Sequence, residues 1–355
     1  MLGTRPEIIK LSPIIRECVR VGQEFSIIHT GQHYSYNMDR VFFEQLELPA
    51  ADYNLEVGSG THAEQTGKML IGLERILLKQ RPQAVLVEGD TNTVLAGALA
   101  ATKLGIKVGH VEAGLRSYDR QMPEETNRTL TDHCSDLLFA PTAKARDTLI
   151  NEGILKQKIH VTGNTIVDAV RQSIKIANEK RKNITQEKLG LKPQTYFVVT
   201  LHRQENVDNP YRLRRIAKGL EKVQKDTGCP IVYPIHPRTK KNLEKLGLQL
   251  KEIKTINPLD YLSFLWLESN SRLVLTDSGG VQEETCTLNV PCVTLRDNTE
   301  RPETLEVGSN ILAGTDPDKI IKCVRMMLEK KQRWKNPFGD GKAGERIVKI
   351  LKAKC

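Results

Sequence analysis

Residues Ala84 to Asp90 read AVLVEGD. Four consecutive apolar positions without polar alternation mark a strand, Ala84 to Glu88, buried on both faces, the habit of parallel sheets covered by helices. The stretch from Thr91 to Leu104 then takes up helical periodicity. The same alternation runs outward in both directions. Phe25 to His29, Lys107 to Val111, Leu137 to Ala140 and Ile159 to Val161 read as strands. Met38 to Leu46, His62 to Lys79, Pro123 to His133 and Ala143 to Asn151 read as the amphipathic helices between them. A long helix from Thr165 to about Lys180 leads into the charged NEKRKNITQEK, the expected linker. A second series follows, with strands Tyr196 to Leu201, Pro230 to Ile235, Leu273 to Thr276 and Pro291 to Leu295. Its helices are Tyr211 to Lys225, Pro258 to Leu267 and Val281 to Thr287, and a last helix, Glu345 to Lys354, follows the turn-rich NPFGDGK. Strands alternating with helices build βαβ units, so the fold class is α/β, with two Rossmann-like domains and a cleft between them. In such sheets ligands gather beyond the carboxyl ends of the strands.

Composition narrows the partners. The chain has 355 residues, 39% apolar and 27% charged, which suits two average, well-cored soluble domains. No apolar run approaches the ~20 residues of a membrane span. The start, MLGTRPEIIK, lacks a basic segment followed by an apolar one, so a cytoplasmic protein is expected. A net charge of +10 fits an anionic partner. Nucleic acid is not expected, because aromatics are only 5% and the basic groups Lys180 to Lys182, Lys240 with Lys241, and Lys330 with Lys331 are far apart. The seven cysteines, Cys18, Cys134, Cys229, Cys286, Cys292, Cys323 and Cys355, form no CxxC pair and no zinc spacing with histidine. They read as reduced thiols, with no metal.

Gly58-Ser-Gly60-Thr-His-Ala63 and Gly339-Asp-Gly341-Lys-Ala-Gly344 match the dinucleotide fingerprint in letters. Neither follows a buried strand, so no NAD or other cofactor is expected. Gly3-Thr4-Arg5-Pro6-Glu7 is better placed: Thr4 can cap a helix, Pro6 suits its first turn, and Arg5 beside a helix N-terminus suits phosphate. Asp277-Ser278-Gly279-Gly280 follows the strand Leu273 to Thr276 and opens a helix, forming an anion nest with Glu283 and Glu284 one turn on. A side chain added at Gly279 is expected to push into the ligand's approach.

Asp90 and Glu112 end neighbouring strands and should face one cleft as acid and base. His110 and Arg116 flank Glu112. Glu124 and Glu125 open a helix, where they could also satisfy its N-terminus. In the second series His202, Arg203 and His236 stand at strand ends, where an anion role and a plain rim role are both open.

Taken together, GTRPEIIKLSP, TGQH, VEGDTNT, GHVEAGLRS, MPEETNRTLTD, FAPT, GNTIVD, LHRQEN, LTDSGGVQEE, LRDNTERPE and NPFGDG resemble the non-hydrolysing UDP-N-acetylglucosamine 2-epimerases. The resemblance runs from Gly3 to the C-terminus. It implies the GT-B fold, with domains at 1–170 and 171–340 and a helix at 341–355 returning to the first domain. It implies a homodimer that binds UDP-N-acetylglucosamine and UDP. The implied chemistry is anti elimination of UDP to 2-acetamidoglucal, then re-addition after a proton returns to the other face of carbon 2. By matching positions it implies Asp90, Glu112 and Glu124 as the acid/base set and His202 as an aid to the leaving diphosphate. Arg5, Ser278, Gly279, Gly280 and Arg301 become phosphate-site residues, Glu284 the ribose ligand, Phe264 a uracil-side contact and Lys10 an active-site lysine. A second, allosteric UDP-N-acetylglucosamine site would use Gln32, His33, Lys68, Arg203 and His236. The chain departs from the family pattern at Tyr34-Ser35, which follow TGQH, and at Lys68, where bacterial members often have arginine. Only Met1 and Leu2 precede GTRPE where the family has a full strand, so the native start is expected upstream. The rivals are a GT-B glycosyltransferase, a non-catalytic UDP-sugar sensor, a hydrolytic member, and a 2-epimerase of a UDP-2,3-diacetamido sugar.

Overall fold

The computed structural model describes residues 1–31, 36–180, 189–330 and 333–355, and for 36–39 and 180 it describes the backbone alone. The chain divides into two compact units: Met1–Gln172 together with Phe338–Cys355, and Ser173–Pro337.

In the first unit β1 (Ile28–His29) pairs in parallel with β2 (Tyr53–Asn54). Next, β3 (Ala84–Glu88), β4 (Lys107–Val111), β5 (Leu137–Ala140) and β6 (Ile159–Val161) form a parallel sheet in that order. The first two residues of the chain fill the gap between the pair and the sheet. Leu2 bridges to His29, and the Met1 ammonium donates to the Leu86 carbonyl at 2.8 Å. The strand expected over Phe25 to His29 is reduced to its last two residues, because among the described residues its ladder partners are Leu2 and the short β2. With Leu2 counted as a strand, the winding direction reverses between Leu2 and β3. That reversal puts a ligand crevice at their carboxyl ends.

The helices of this unit are α1 (Arg5–Arg20), α2 (Tyr36–Gln45), α3 (His62–Gln80), α4 (Asn92–Lys103), α5 (Pro123–Cys134), α6 (Ala143–Asn151) and α7 (Thr165–Lys180), the last running across the unit boundary. Helix α4 is buried almost all round, and its alanines let it pack closely with Met69, Leu73 and Leu77 of α3 and Val85 and Val87 of β3. The last helix of the chain, Ala343–Lys354, lies on α1. Gly344 favours that approach, since a Cβ there would crowd the Pro13 backbone at 3.1 Å. The NPFGDG turn fixes the return: Asn164 N–H donates to Phe338 O at 2.8 Å, and Gly344 N–H to Asp168 Oδ1 at 3.0 Å.

The second unit holds β7 (Phe197–Thr200), β8 (Ile231–Pro234), β9 (Ile253–Ile256), β10 (Leu273–Thr276), β11 (Cys292–Thr294) and β12 (Asn310–Leu312). All are parallel, in the order β12-β11-β10-β7-β8-β9. Its helices are α8 (Gln204–Val207), α9 (Pro210–Thr227), α10 (Pro237–Lys245), α11 (Tyr261–Ser269), α12 (Gly279–Leu288), α13 (Pro302–Glu306) and α14 (Pro317–Glu329), so Ala343–Lys354 is α15. Alternate residues of β7 serve opposite faces: Phe197 and Val199 join Leu213, Leu220, Val324 and Met327, while Tyr196 and Val198 join Leu267 and Val290. Here the winding reverses between β7 and β10, which again singles out one crevice. Among the described residues no helix is long and apolar enough to cross a membrane.

Candidate active site

Gly3 to Arg5 and Glu88 to Thr91 meet at the reversal point of the first unit. Thr4 is the N-cap of α1, and Glu7 turns back to accept from the Gly3 and Thr4 amides and the Thr91 hydroxyl. Burial lifts the Glu7 carboxyl to about 7, against those three hydrogen bonds. Gly3 is fixed by close approach: a Cβ would fall 2.0 Å from Thr30 Oγ1 and 2.3 Å from Thr93 Oγ1, whose hydroxyls bond each other at 2.8 Å. The Arg5 guanidinium lies over the Phe42 ring at 4.8 Å, a cation–π contact that holds it at the helix N-terminus.

One turn into α1, Lys10 Nζ contacts the Glu112 carboxylate and lies 3.5 Å from Glu88 Oε1. Glu112 follows β4 with a φ of 69°, a left-handed conformation unusual for a non-glycine residue. Such strain persists only where the surroundings impose it, and it gathers at functional positions. Burial, and the adjoining Glu112, hold the Glu88 carboxyl well above its ordinary range, with Lys10 pulling the other way.

Asp90 lies past β3, part exposed, with a carboxylate oxygen bonded by Arg128 and its carbonyl by Asn127 at 2.9 Å. The other arm of Arg128 reaches Glu125 at 2.6 Å. Glu125 does not cap its own helix. It accepts from Ser117 N–H at 3.0 Å, the Ser117 hydroxyl at 2.8 Å and Tyr118 N–H at 2.9 Å, so it anchors the loop after Glu112. Burial works to raise the Glu125 carboxyl, but these bonds and the Arg128 charge leave it below its ordinary value. Glu124, one residue earlier and half-buried, makes no such bond among the described residues. The flanking residues His110 and Arg116 turn away into a buried strut. His110 bonds Asp132 at 2.6 Å and Gly89 O at 2.8 Å, and Arg116 bonds Asp132 at 2.7 Å and Glu152 at 2.6 Å. They set the backbone on which Asp90 and Glu112 sit.

At the reversal point of the second unit, buried Asp277 organises the loop after β7. It accepts from His202 N–H at 3.1 Å, Arg203 N–H at 3.1 Å and Asn206 Nδ2 at 3.2 Å, and faces His202 Nδ1 at 3.2 Å. Burial acts to raise its carboxyl, but the bonds from His202 and Arg203 hold it below the ordinary value. His236 caps α10, accepting from Arg238 N–H at 3.3 Å. Burial, then the charges of His202 and Arg238, push the His236 imidazole down.

Ser278 caps α12, leaving the Gly279 and Gly280 amides at the helix N-terminus, an arrangement of the kind that suits an anion. A side chain at Gly279 would meet Glu300 Oε1 at 2.5 Å, while at Gly280 the nearest atom is Ser278 Oγ at 3.9 Å. Arg301 is bonded to Glu283 at 2.6 Å. Glu284 is buried beside Glu268, whose carboxyl is pushed well above its ordinary range by burial and by Glu284. Phe264 packs at the edge of the Tyr196–Val198 core.

Asp90, Glu112, Glu124, Arg5 and Lys10 therefore lie on one unit, and His202, Arg203, His236, Ser278, Gly279, Gly280, Glu284, Arg301 and Phe264 on the other. Lys68 is exposed on α3, while Gln32 and His33 lie outside the described residues. Sequence reasoning misses Glu88, Arg128, Asn206, Glu268 and Glu300. The signal for Glu88 is an acid inside a run otherwise apolar enough to be buried. The other four sit inside quoted motifs or helices without a distinguishing pattern.

A family model described as UDP-N-acetylglucosamine 2-epimerase matches residues 16–352. The UDP-N-acetylglucosamine 2-epimerase of Methanocaldococcus jannaschii is 60% identical, over 99% of this chain and 97% of that protein. The one from Methanococcus maripaludis is 57% identical over 99% and 97%. A crystal structure of the M. jannaschii UDP-GlcNAc 2-epimerase in complex with UDP-GlcNAc and UDP superposes with a TM-score of 0.91, covering 99% of this chain and 98% of that one. The GT-B class expected from the sequence is borne out.

Proposed function

The chain belongs to the non-hydrolysing UDP-N-acetylglucosamine 2-epimerase family, and on that premise we propose that it interconverts UDP-N-acetylglucosamine and UDP-N-acetylmannosamine by elimination and re-addition of UDP. The observation that carries the reading is the Lys10–Glu112 contact. An ammonium in contact with a buried, backbone-strained carboxylate at a strand end favours the charged form, which is what a base at carbon 2 requires.

Carbon 2 of the sugar is not acidified by a carbonyl, so its proton leaves with or after the diphosphate. The electrons of the C2–H bond form the C1=C2 double bond, those of the C1–O bond leave with UDP, and the proton passes to a carboxylate. Glu112 and Asp90, aided by Glu124, take and return that proton on the two faces. His202, with the nest of Ser278 to Gly280, Arg5 and Arg301, holds the diphosphate. Glu284 takes the ribose hydroxyls, and Phe264 stands on the uracil side.

A homodimer in the cytoplasm, and a second UDP-sugar site using Gln32, His33, Lys68, Arg203 and His236, complete the reading. The 2,3-diacetamido epimerase and glycosyltransferase readings gain nothing from the relatives reported above. Proton NMR of purified protein with UDP-N-acetylglucosamine alone in D₂O tests the proposal. UDP-N-acetylmannosamine should appear, with deuterium at carbon 2 of both epimers. Release of free N-acetylmannosamine, or no second epimer, overturns it.

A further inference from the structure

We infer that Glu88 is a positioning residue for this reaction: its carboxylic acid donates a hydrogen bond to the Glu112 carboxylate and fixes that group's reactive orientation. The inference rests on the reading of Glu112 as a base at carbon 2.

Strands β3 and β4 are neighbours, and Glu88 lies in register with Val111, the residue before Glu112. The two acids therefore end adjacent strands in the same buried corner, with side chains 2% and 5% exposed. One ammonium, Lys10 Nζ, serves both. Glu88 Oε1 is buried and accepts no hydrogen bond. Two ionised carboxylates beside one ammonium would leave a buried charge uncompensated, at a penalty far above that of retaining a proton. One shared proton resolves the conflict. It belongs on Glu88, the more buried acid, because Glu112 has the closer contact with Lys10. The remaining charged neighbour of Glu88 is Glu7 of α1, whose charge acts in the same direction.

The arrangement has a chemical consequence. With Lys10 on one Glu112 oxygen and the proton of Glu88 directed at the same carboxylate, its rotation is restricted above a backbone already held at a φ of 69°. When Glu112 accepts the carbon 2 proton, Glu88 keeps its own, so the proton taken from the sugar stays on Glu112 while another acid delivers a proton to the opposite face.

The test compares kcat, KM and their pH dependence for Glu88→Gln and Glu88→Met, with Glu112→Gln as the reference. Methionine fills the space but donates nothing, and its kcat should fall about 10- to 100-fold with KM little changed. Glutamine keeps a donor and should retain about ten-fold more kcat than methionine. Having no proton to lose, it should also lack the alkaline fall expected of the wild type as Glu88 ionises. Wild-type kcat in the methionine variant, or a glutamine variant no better than methionine, overturns the inference. If the methionine variant does not fold, persistence of the wild-type alkaline limb in the glutamine variant overturns it. Full rate in Glu112→Gln sinks the underlying reading instead. An impaired Glu112→Gln with two wild-type-like Glu88 variants sinks only the role of Glu88.

Discussion

Gly279 and Glu300 are packed so closely that a Cβ on the glycine would lie 2.5 Å from the Glu300 Oε1 oxygen. The carboxylate is pinned there by Arg296 at 2.8 Å and Arg203 at 3.2 Å. Burial works to raise it, yet the charges of Arg301, Arg296 and Arg203 bring it down to about 2. Glu300 thus holds three arginines together beside the nest, and its position depends on the missing side chain of Gly279.

Two neighbouring glycines should therefore fail differently. Gly279→Val must displace Glu300, so it should lower Tm as well as UDP affinity. Gly280→Val meets nothing closer than Ser278 Oγ at 3.9 Å and should leave Tm almost unmoved. Its UDP affinity should still drop at least about ten-fold, or about 1.4 kcal/mol. Calorimetric titration with UDP and thermal melts on both variants separate the cases. Unchanged UDP affinity in Gly280→Val would show the loop to be only a turn.

Arg128 offers a second test, because it ties Asp90 to Glu125 and through it to the Ser117–Tyr118 loop. Lysine cannot grip two carboxylates in a fixed fork. Arg128→Lys should lose about ten- to a hundred-fold in kcat through misorientation. UDP affinity should hold within about two-fold, since the proposed nest lies on the other unit. Steady-state kinetics beside UDP calorimetry check this, and equal losses in both would point to general unfolding.

Glu7 should make stability fall with rising pH. Its folded carboxyl is raised to about 7 from 4.5. The stabilising contribution of its neutral form is thus complete below 4.5 and lost as pH rises through about 7. Ionising it in place costs on the order of 3 kcal/mol. Glu7→Gln, which can still accept from the Gly3 and Thr4 amides, should gain Tm over the wild type at pH 8 but not at pH 4.5. Paired melts across that range decide it, and a constant difference would rule the linkage out.

The parts of the fold written in apolar runs were legible. Ala84–Glu88, Lys107–Val111, Leu137–Ala140, Ile159–Val161 and Leu273–Thr276 begin and end where the sequence places them. β9 was not legible: Ile253–Ile256 is an edge strand with exposed Lys254 and Thr255, so its pattern is half polar. Helix α14 carries a readable signal, an Asp316 N-cap followed by Pro317 in the first turn and then Ile320, Cys323, Val324 and Met327, that the strand-led reading passes over. Among the site residues, strand-end acids stood out because strand ends are predictable. The partners that orient them did not. Asp132, Glu152 and Arg128 come from distant turns of the chain, and a single sequence has no term that brings Arg116 to Glu152.

The carboxylates themselves make the last prediction. Inversion at carbon 2 needs removal of a proton from one face and delivery to the other, so no single side chain suffices without turning the sugar over. As UDP departs, carbon 1 gains cationic character and the carbon 2 proton comes within reach of an ordinary carboxylate. Nearby negative charge is rewarded in the same step. Glu112 is in contact with Lys10 and Asp90 with Arg128, so each is oriented by a neighbouring cation. A positioned acid or base contributes ~10²- to 10⁴-fold. Glu112→Gln and Asp90→Asn should each lose at least that much turnover and still bind UDP, whose proposed ligands other than Arg5 lie on the second unit. The two variants should differ in isotope exchange. The carboxylate that serves one face can still wash solvent deuterium into the epimer it deprotonates, so labelling of one epimer without net conversion identifies which acid serves which face. Near-wild-type rates in both variants, or product formed in D₂O without deuterium at carbon 2, would remove the elimination mechanism together with these assignments.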